Sequence, residues 1–457
     1  MEEKMKYRSA LKVAVVLSLF LFSLSHATVL YVHPDSTLNA IQVGLDSCAN
    51  NDTVLVAPGT YFENIVWPNT QGIDLISEYG RDTTIIDGSN IAKVIILDVG
   101  VDSTTIIKGF TITHGNSTIG GGIYCYINNS PTIMKNIITE NNASTGGGIY
   151  CTQSSPFITD NIISNNTSPA GAGIHCYVYS HAIITNNIIT GNINNIDIGG
   201  GILVIESSPL ISYNTITMNT ADEGGGIFCG TTPGCVCAPT IINNTITDNT
   251  ANEGAGIHCA ISSCSPTIDS CIISNNNGDG IFSRDLANPV IHYSNITGNT
   301  GYGVINTDST LTIDALNNWW GDSSGPGGFG PGIGDSVSQW VNYDPWLTSP
   351  VGVEGSEDRK QKSGVRKTLT VYPNPFTSVI NIRLLGINEQ QNYSLKIYNA
   401  SGRMVKTFTL TTDHYSLTTD VSWNGIDNRG EKVPGGVYFL KFESINYMTM
   451  QKLLLIR

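Results

Sequence analysis

A Gly-rich hexapeptide returns along the middle of the chain with a spacing that leaves room for little but a repeat architecture. GGGIYC at 120–125 recurs as GGGIYC (146–151), GAGIHC (171–176), GGGILV (199–204), GGGIFC (224–229) and GAGIHC (254–259), then decays to GDGIF (278–282) and GYGVI (301–305). The Gly before each Ile or Val falls at Gly122, Gly148, Gly173, Gly201, Gly226, Gly256, Gly280 and Gly303, at intervals of 26, 25, 28, 25, 30, 24 and 23 residues. A period of that length in a strand-like sequence means a solenoid.

Three short apolar segments fill each period. The first carries Ile123, Ile149, Ile174, Ile202, Ile227, Ile257, Ile281 and Val304, with Cys125, Cys151, Cys176, Val204, Cys229 and Cys259 two residues on. The second carries Ile133, Ile158, Ile183, Ile211, Ile241, Ile268 and Ile291, and the third Ile138, Ile163, Ile189, Ile216, Ile246, Ile273 and Ile296. Apolar positions alternating with Thr, Ser and Asn have the period of two that belongs to strands. Three strands per rung, stacked in register, predict a parallel β-helix. Asn141, Asn166, Asn192, Asn219, Asn249, Asn276 and Asn299 recur at one corner, and Asn136, Asn161, Asn187, Asn214 and Asn244 at another, yielding to Cys271 and Ser294. Stacked amides can bond along a ladder, and Asn tolerates the left-handed backbone of a tight corner, so these residues are expected to be architectural.

The N-terminus has Lys4, Lys6, Arg8 and Lys12 before an apolar run over 13–24 and small residues up to Ala27. This is the pattern of a secretory signal peptide over 1–27, too short to favour a spanning helix, and no second membrane segment follows. Residues 28–110 should supply a cap and the first rungs. Within them STLNAIQVGLDSC (36–48) spaces Leu38, Ile41 and Leu45 as a helix that would cover the first apolar rung. The stretches AIQVGLDSCANNDTVLVAPGTYFENI (40–65), ISEYGRDTTIIDG (76–88), IIKGFTITHGN (106–116) and NNWWGDSSGPGG (317–328) resemble secreted right-handed β-helix proteins of the pectin-lyase-like class. The resemblance covers residues 29–346 and implies the fold, with repeats and end cap over 111–346. It leaves the activity open, because one fold hosts lyases, hydrolases, esterases and binding proteins. Trp319 and Trp320 are expected to plug the open end of the solenoid.

Residues 347–367 are polar, charged and non-periodic towards their end, as a linker is. From 368 to 457 alternating strands separated by turns predict a small antiparallel Ig-like β-sandwich. YPNPF (372–376), SLKIYNASGRMVKTF (394–408), WNGIDNRGEKVPGGVYF (423–439) and KLLLIR (452–457) resemble the type A sorting domain of type IX secretion. That resemblance implies a Gram-negative envelope, transit through the periplasm, contact with the type IX machinery, and release to the medium or the outer cell surface. Removal of the domain after export is also expected.

Charge divides at the same boundary: residues 28–351 hold five basic and 26 acidic side chains, and 352–457 hold 14 and nine. An acidic solenoid disfavours nucleic acid and polyanionic sugars, leaving neutral glycans or anionic ones bridged by Ca²⁺. The ten cysteines of an exported chain invite disulfides. The Cys column of the repeats reads as small buried hydrophobes, and bridges are expected within CGTTPGCVC (229–237) or between Cys264 and Cys271.

If Ile and Cys point inward, the residues between them point outward: Tyr124, Tyr150, His175, Leu203, Phe228, His258, Phe282 and Ile305, with Tyr126, Tyr177 and Arg284 two places further. Rings one rung apart make a platform for sugar faces or a partner surface, unless a loop covers them. The glycan-binding candidates are therefore Tyr124, Tyr126, Tyr150, His175, Tyr177, Phe228 and His258. Lyases of the class generally use an Arg or Lys base beside carboxylates that hold Ca²⁺. Here Arg284, near Asp279 and Asp285, or Lys135, next to Glu140, would serve. Glu223 and Glu253 lie three residues before the marked Gly of adjacent rungs, so two carboxylates should stack and, with Asp222, recruit Ca²⁺. The residues thus predict a glycan-binding or adhesive surface protein, with a Ca²⁺-assisted polysaccharide lyase as the alternative.

Overall fold

The computed structural model describes residues 27–33 and 40–351, except positions 99, 195, 233 and 262, and most of 368–455. The expected signal peptide, Leu38 and most of the linker lie outside the described residues. The chain divides into two compact units, ending at Gly352 and beginning at Val353.

The first unit is a parallel β-helix. Its rungs repeat a unit such as Ile123–Tyr126, Thr132–Met134 and Ile137–Thr139, and equivalent strands of successive rungs pair in parallel into sheets of 12, 13 and 10 strands. Register is kept residue for residue: Ile123 pairs with Ile149, Ile149 with Ile174, and Ile174 with Ile202. A helix over Ile41–Asp46 packs Ile41 and Leu45 into the end of the core. At the other end Trp320 is completely buried. In the second column the inward residue of one rung is Ile184, not Ile183. Ile158 pairs with Ile184, while Ile183 pairs with Phe157. Two adjacent Ile leave that choice open in the sequence, and the register settles it.

Both Asn corners form ladders. Asn192 is typical: its Oδ1 accepts from the backbone N–H and from Nδ2 of Asn166 at 3.1 and 3.0 Å, and its Nδ2 donates to Ile163 O and Asn219 Oδ1, both at 2.9 Å. The left-handed backbone, however, belongs to the residue before each ladder Asn, at Lys135, Asp160 and Asn186 on one corner and Glu140, Asn165 and Met218 on the other. The ladder Asn must aim its amide inward to be bonded, so its predecessor absorbs the turn.

The Gly triplet has a steric cause. A Cβ on Gly201 would lie 2.5 Å from the carbonyl oxygen of Gly226 and 3.0 Å from Ile216 Cγ2. At the middle position a Cβ on Gly200 would meet Gly225 O at 2.5 Å, yet Ala172 and Ala255 occupy the equivalent place in two other rungs. Gly201→Ala should therefore cost about 3 kcal/mol of unfolding free energy, at the upper end of overpacking effects, and Gly200→Ala clearly less. Urea unfolding of both variants measures the difference, and equal costs would mean that the room made for Ala172 and Ala255 in their rungs does not extend to Gly200.

All ten cysteines are free thiols. Cys125, Cys151, Cys176, Cys229 and Cys259 line the core as expected, but neither expected bridge is present. Cys237 instead sits beside Cys264 of the next rung, and the thiol of Cys264 donates to Cys229 O at 3.3 Å. Cys271 takes a place in the Asn ladder, its thiol 3.5 Å from Ile241 O.

The second unit has two antiparallel sheets, one of Thr368–Tyr372, Ile380–Leu385 and Thr418–Trp423, the other of Met404–Phe408, Ser394–Asn399, Gly436–Ser444 and Tyr447–Leu455. Phe376, Trp423, Leu440 and Phe442 close a single core between them.

Candidate functional site

The outward column of the first strands is only partly a surface. The chain between the third strand and the Gly triplet forms an extra layer: Asn116–Ile119 pairs with Asn142–Thr145, and single bridges continue it through Thr167, Ile193, Thr220 and Thr250. A companion row runs Ala170, Ile198, Glu223, Glu253. Under it Leu203, Phe228 and Ala260 cluster with Ala170 and Ile198. Tyr150, His175, Phe228 and His258 are consequently buried, which corrects the reading of the whole column as an open platform.

What stays open lies at the margins of the column. Tyr124 is half-buried, with the Lys93 ammonium 4.9 Å from its ring centre, while Tyr126 and Tyr177 are 39% and 38% exposed. The rings are mutually ordered: Tyr124 stacks on Tyr126 and on Tyr150 at 5.8 and 5.7 Å, and Tyr177 lies 6.4 Å from Tyr150 and 5.6 Å from His175. Beyond the strand ends a concavity of about 420 Å³ is lined by Asn128, Gln153, Ser155 and Tyr179, among others. Tyr179 is 64% exposed. The turn that builds this concavity holds β-branched residues at positive φ, Ile127 at 38° and Val178 at 37°. L side chains rarely adopt that conformation, and a β-branched one adopts it only under constraint from its surroundings. Sequence reasoning passed over Tyr179, Asn128 and Gln153. The alternation of Tyr177 and Tyr179 was the available signal.

A second constellation lies on the rungs of Glu223, Glu253 and Arg284. The two Glu pair side by side in the extra layer. Between them lies the Arg284 guanidinium, with Nη1 donating to Glu253 Oε2 at 2.9 Å and Nη2 to both Glu223 oxygens at 2.9 Å. Asp285 Oδ2 is 3.4 Å from Nε. Burial pushes the Glu223 carboxyl up, with Arg284 pulling the other way. Asp279 is likewise raised by burial, and its Oδ1 accepts from Tyr302 N–H at 2.7 Å. His258 lies beneath this group with Nδ1 3.8 Å from Glu223 Oε2, its ring between Phe228 at 4.9 Å and Phe282 at 5.0 Å. Burial, seconded by Arg284, lowers its pKa to about 3. Asp222 turns elsewhere: its Oδ1 accepts from Asn252 Nδ2 at 2.6 Å on the wall of a polar groove of about 480 Å³.

The lyase candidates are not brought together. Arg284 is taken up by Glu223 and Glu253, each at 2.9 Å, and so is not free to reach a substrate as a base. Lys135 stands exposed on a left-handed corner, and among the described residues it joins no ion pair. Glu140 is engaged by His114 at 3.3 Å.

The model of the right-handed β-helix region matches residues 59–220 and 193–319, and that of the secretion system C-terminal sorting domain matches 370–456. No curated protein matches the chain. Among solved structures, dimeric latent PorU from Porphyromonas gingivalis is 20% identical over 20% of this chain and 9% of that one, with a TM-score of 0.17. PorZ, a surface component of the type IX secretion system of the same organism, is 26% identical over 20% of this chain and 11% of its own, with a TM-score of 0.15. The chain thus spans only about a tenth of these two proteins. The enzymatically active domain of tailspike protein 2 from bacteriophage CBA120 is 11% identical, covering 90% of this chain and 73% of that one, with a TM-score of 0.40.

Proposed function

This chain belongs to the right-handed β-helix family and carries a secretion sorting domain, and we propose that its solenoid is a glycan-binding, adhesive module displayed at or beyond the cell surface. The sorting domain marks the chain for type IX export. We place its route through the periplasm of a Gram-negative cell, with the solenoid as the exported cargo. Among the described residues no helix is long and apolar enough to cross a membrane.

The observation that carries the reading is the pairing of exposed Tyr126, Tyr177 and Tyr179 with a concavity lined by Asn128, Gln153 and Ser155. Sugars present apolar faces that stack on rings and hydroxyls that bond amides and side-chain oxygens, and such sites combine the two. The uncharged lining suits a neutral polysaccharide and needs no bridging Ca²⁺. The lyase alternative gains nothing from the arrangement, since the Arg284 guanidinium is occupied by Glu223 and Glu253.

Retention of the exported protein on a panel of neutral and acidic polysaccharides tests the reading. Tyr126→Ala combined with Tyr177→Ala should weaken binding about thirty-fold, from two stacking contacts of about 1 kcal/mol each. Tyr150→Phe, at a buried ring, should leave binding unchanged. Unaltered retention in the double variant would remove the tyrosine site, and new reducing or unsaturated ends would replace the binding reading with an enzymatic one.

A further inference from the structure

We infer that Glu223, Glu253 and His258 form a site for a divalent transition metal of the Zn²⁺ class, with the Arg284 guanidinium as a built-in competitor for the same carboxylates. The three side chains offer ligand atoms that all lie within 4.8 Å of one another. They are delivered by adjacent rungs, since Glu223 is beside Glu253 in the extra layer and Phe228 is in register with His258 in the strand below. The carboxylates alone would be an unremarkable acidic pair. His258 changes the chemistry, because it is completely buried and neither ring nitrogen completes a hydrogen bond, the Glu253 backbone being a polar neighbour besides Glu223. An uncommitted imidazole with its Nδ1 3.8 Å from a carboxylate oxygen is a ligand position already formed by the fold.

The donor set selects the metal. Ca²⁺ takes six to eight oxygens, and an imidazole does not satisfy it. One nitrogen and two carboxylates leave room for a fourth ligand, the composition that suits Zn²⁺ and its neighbours. The acidic residue left out is Asp222, which faces the groove, so the Ca²⁺ set of Asp222, Glu223 and Glu253 is replaced by a nitrogen-containing one. Access lies from the solvent side, where the Glu223 and Glu253 side chains are 25% and 35% exposed. Arg284 approaches from that side with its own side chain 32% exposed, and its guanidinium bonds the oxygens a metal would use. Metal and guanidinium therefore exclude each other, and the affinity of the native chain is reduced by the fraction of the time Arg284 is docked.

Titrating Zn²⁺ into the full exported chain against a chromogenic chelator tests this. Arg284→Ala should bind one Zn²⁺ at least ten-fold more tightly than the native chain. In that background His258→Gln and, separately, Glu253→Gln should lose the gain. Glu253 is part-exposed, so its variant keeps the test valid if the His258 change unfolds the protein, with circular dichroism recording which variants remain folded. Unchanged Zn²⁺ affinity in Arg284→Ala overturns the proposal. So does retention of the gain when Glu253 is replaced, or Ca²⁺ binding as tightly as Zn²⁺ in Arg284→Ala, which would reduce the site to a plain acidic pair.

Discussion

Replacing Asn192 by Ala should lower the unfolding free energy of the solenoid by about 4 kcal/mol. Asn192 is completely buried and makes four side-chain bonds, accepting twice from Asn166 and donating to Ile163 O and Asn219 Oδ1. Alanine removes all four. The Asn166 backbone N–H and one of the two Asn166 amide hydrogens lose their acceptor, the other amide hydrogen keeping Ile138 O at 2.9 Å, and the Ile163 carbonyl loses a donor, at about 1–3 kcal/mol each before relaxation. The protein contains its own milder substitute: one rung before the last Asn of the other ladder, Asn318, Ser294 Oγ accepts from Cys271 N–H at 3.1 Å. Asn192→Ser should accordingly cost less than Asn192→Ala, because one acceptor survives. Thr217→Ala on the outer face of the third sheet should stay within about 0.5 kcal/mol. Urea unfolding of the three variants gives the order, and a cost below about 1 kcal/mol for Asn192→Ala would show that the ladder is not a stabilising element.

These costs follow from features that were readable before any coordinates. Ile and Gly stand at the same place in rung after rung, and a column that admits nothing else states its own constraint. The direction of a turn is less legible. Periodicity shows that a polar residue recurs at a corner, but it does not say whether that residue or its predecessor takes positive φ, and Lys135 and Glu140 are the answer at two corners. The extra layer was harder still. Its segments, such as NASTGG and NTADEGG, look like turns because they are polar and lack apolar alternation. The usable signal was a column of small residues: Ala143, Ala221 and Ala251, which are 2%, 6% and 6% exposed, with Ser168 also buried. Small buried residues mark one layer lying closely on another.

That layer explains why the site was only partly legible. A column of rings pointing away from the core has the same sequence whether solvent or a second layer lies above it. Tyr126 and Tyr177 escape cover because they lie two places beyond the covered column, at the strand ends. Glu223 and Glu253 were found because carboxylates repeated at one register position must stack in a solenoid. Their partner Arg284 was proposed as a base from its neighbours in sequence, Asp279 and Asp285. In the fold its strongest partners are 31 and 61 residues away, joined only by the stacking of rungs.

Burial of the two histidines under the extra layer gives the other large expected effect, a loss of stability in mild acid. His175 and His258 are each held near a pKa of about 3, His175 by burial alone. The unfolded chain titrates them near 6.5, so above that pH both states are neutral and stability does not depend on them. As pH falls below 6.5 the unfolded chain takes up protons that the folded one refuses. Stability then drops by about 1.4 kcal/mol per pH unit for each ring, until the folded state titrates as well. At pH 4 each ring has cost about 3 kcal/mol. Asp197, Glu223 and Asp279 act in the opposite sense, because a raised carboxyl takes up its proton earlier in the folded state. The comparison must therefore be between variants. His175 gives the cleaner measurement, since its ring contacts are the neutral rings of Tyr150 and Tyr177, whereas a protonated His258 would meet Glu223. Unfolding free energies of the native chain and His175→Phe, measured from pH 7 to pH 4, should run parallel above pH 6.5 and then converge or cross, with the native chain losing about 3 kcal/mol more. Parallel curves throughout would mean that the extra layer opens to let His175 take up its proton, and that the covered column is a transient surface after all.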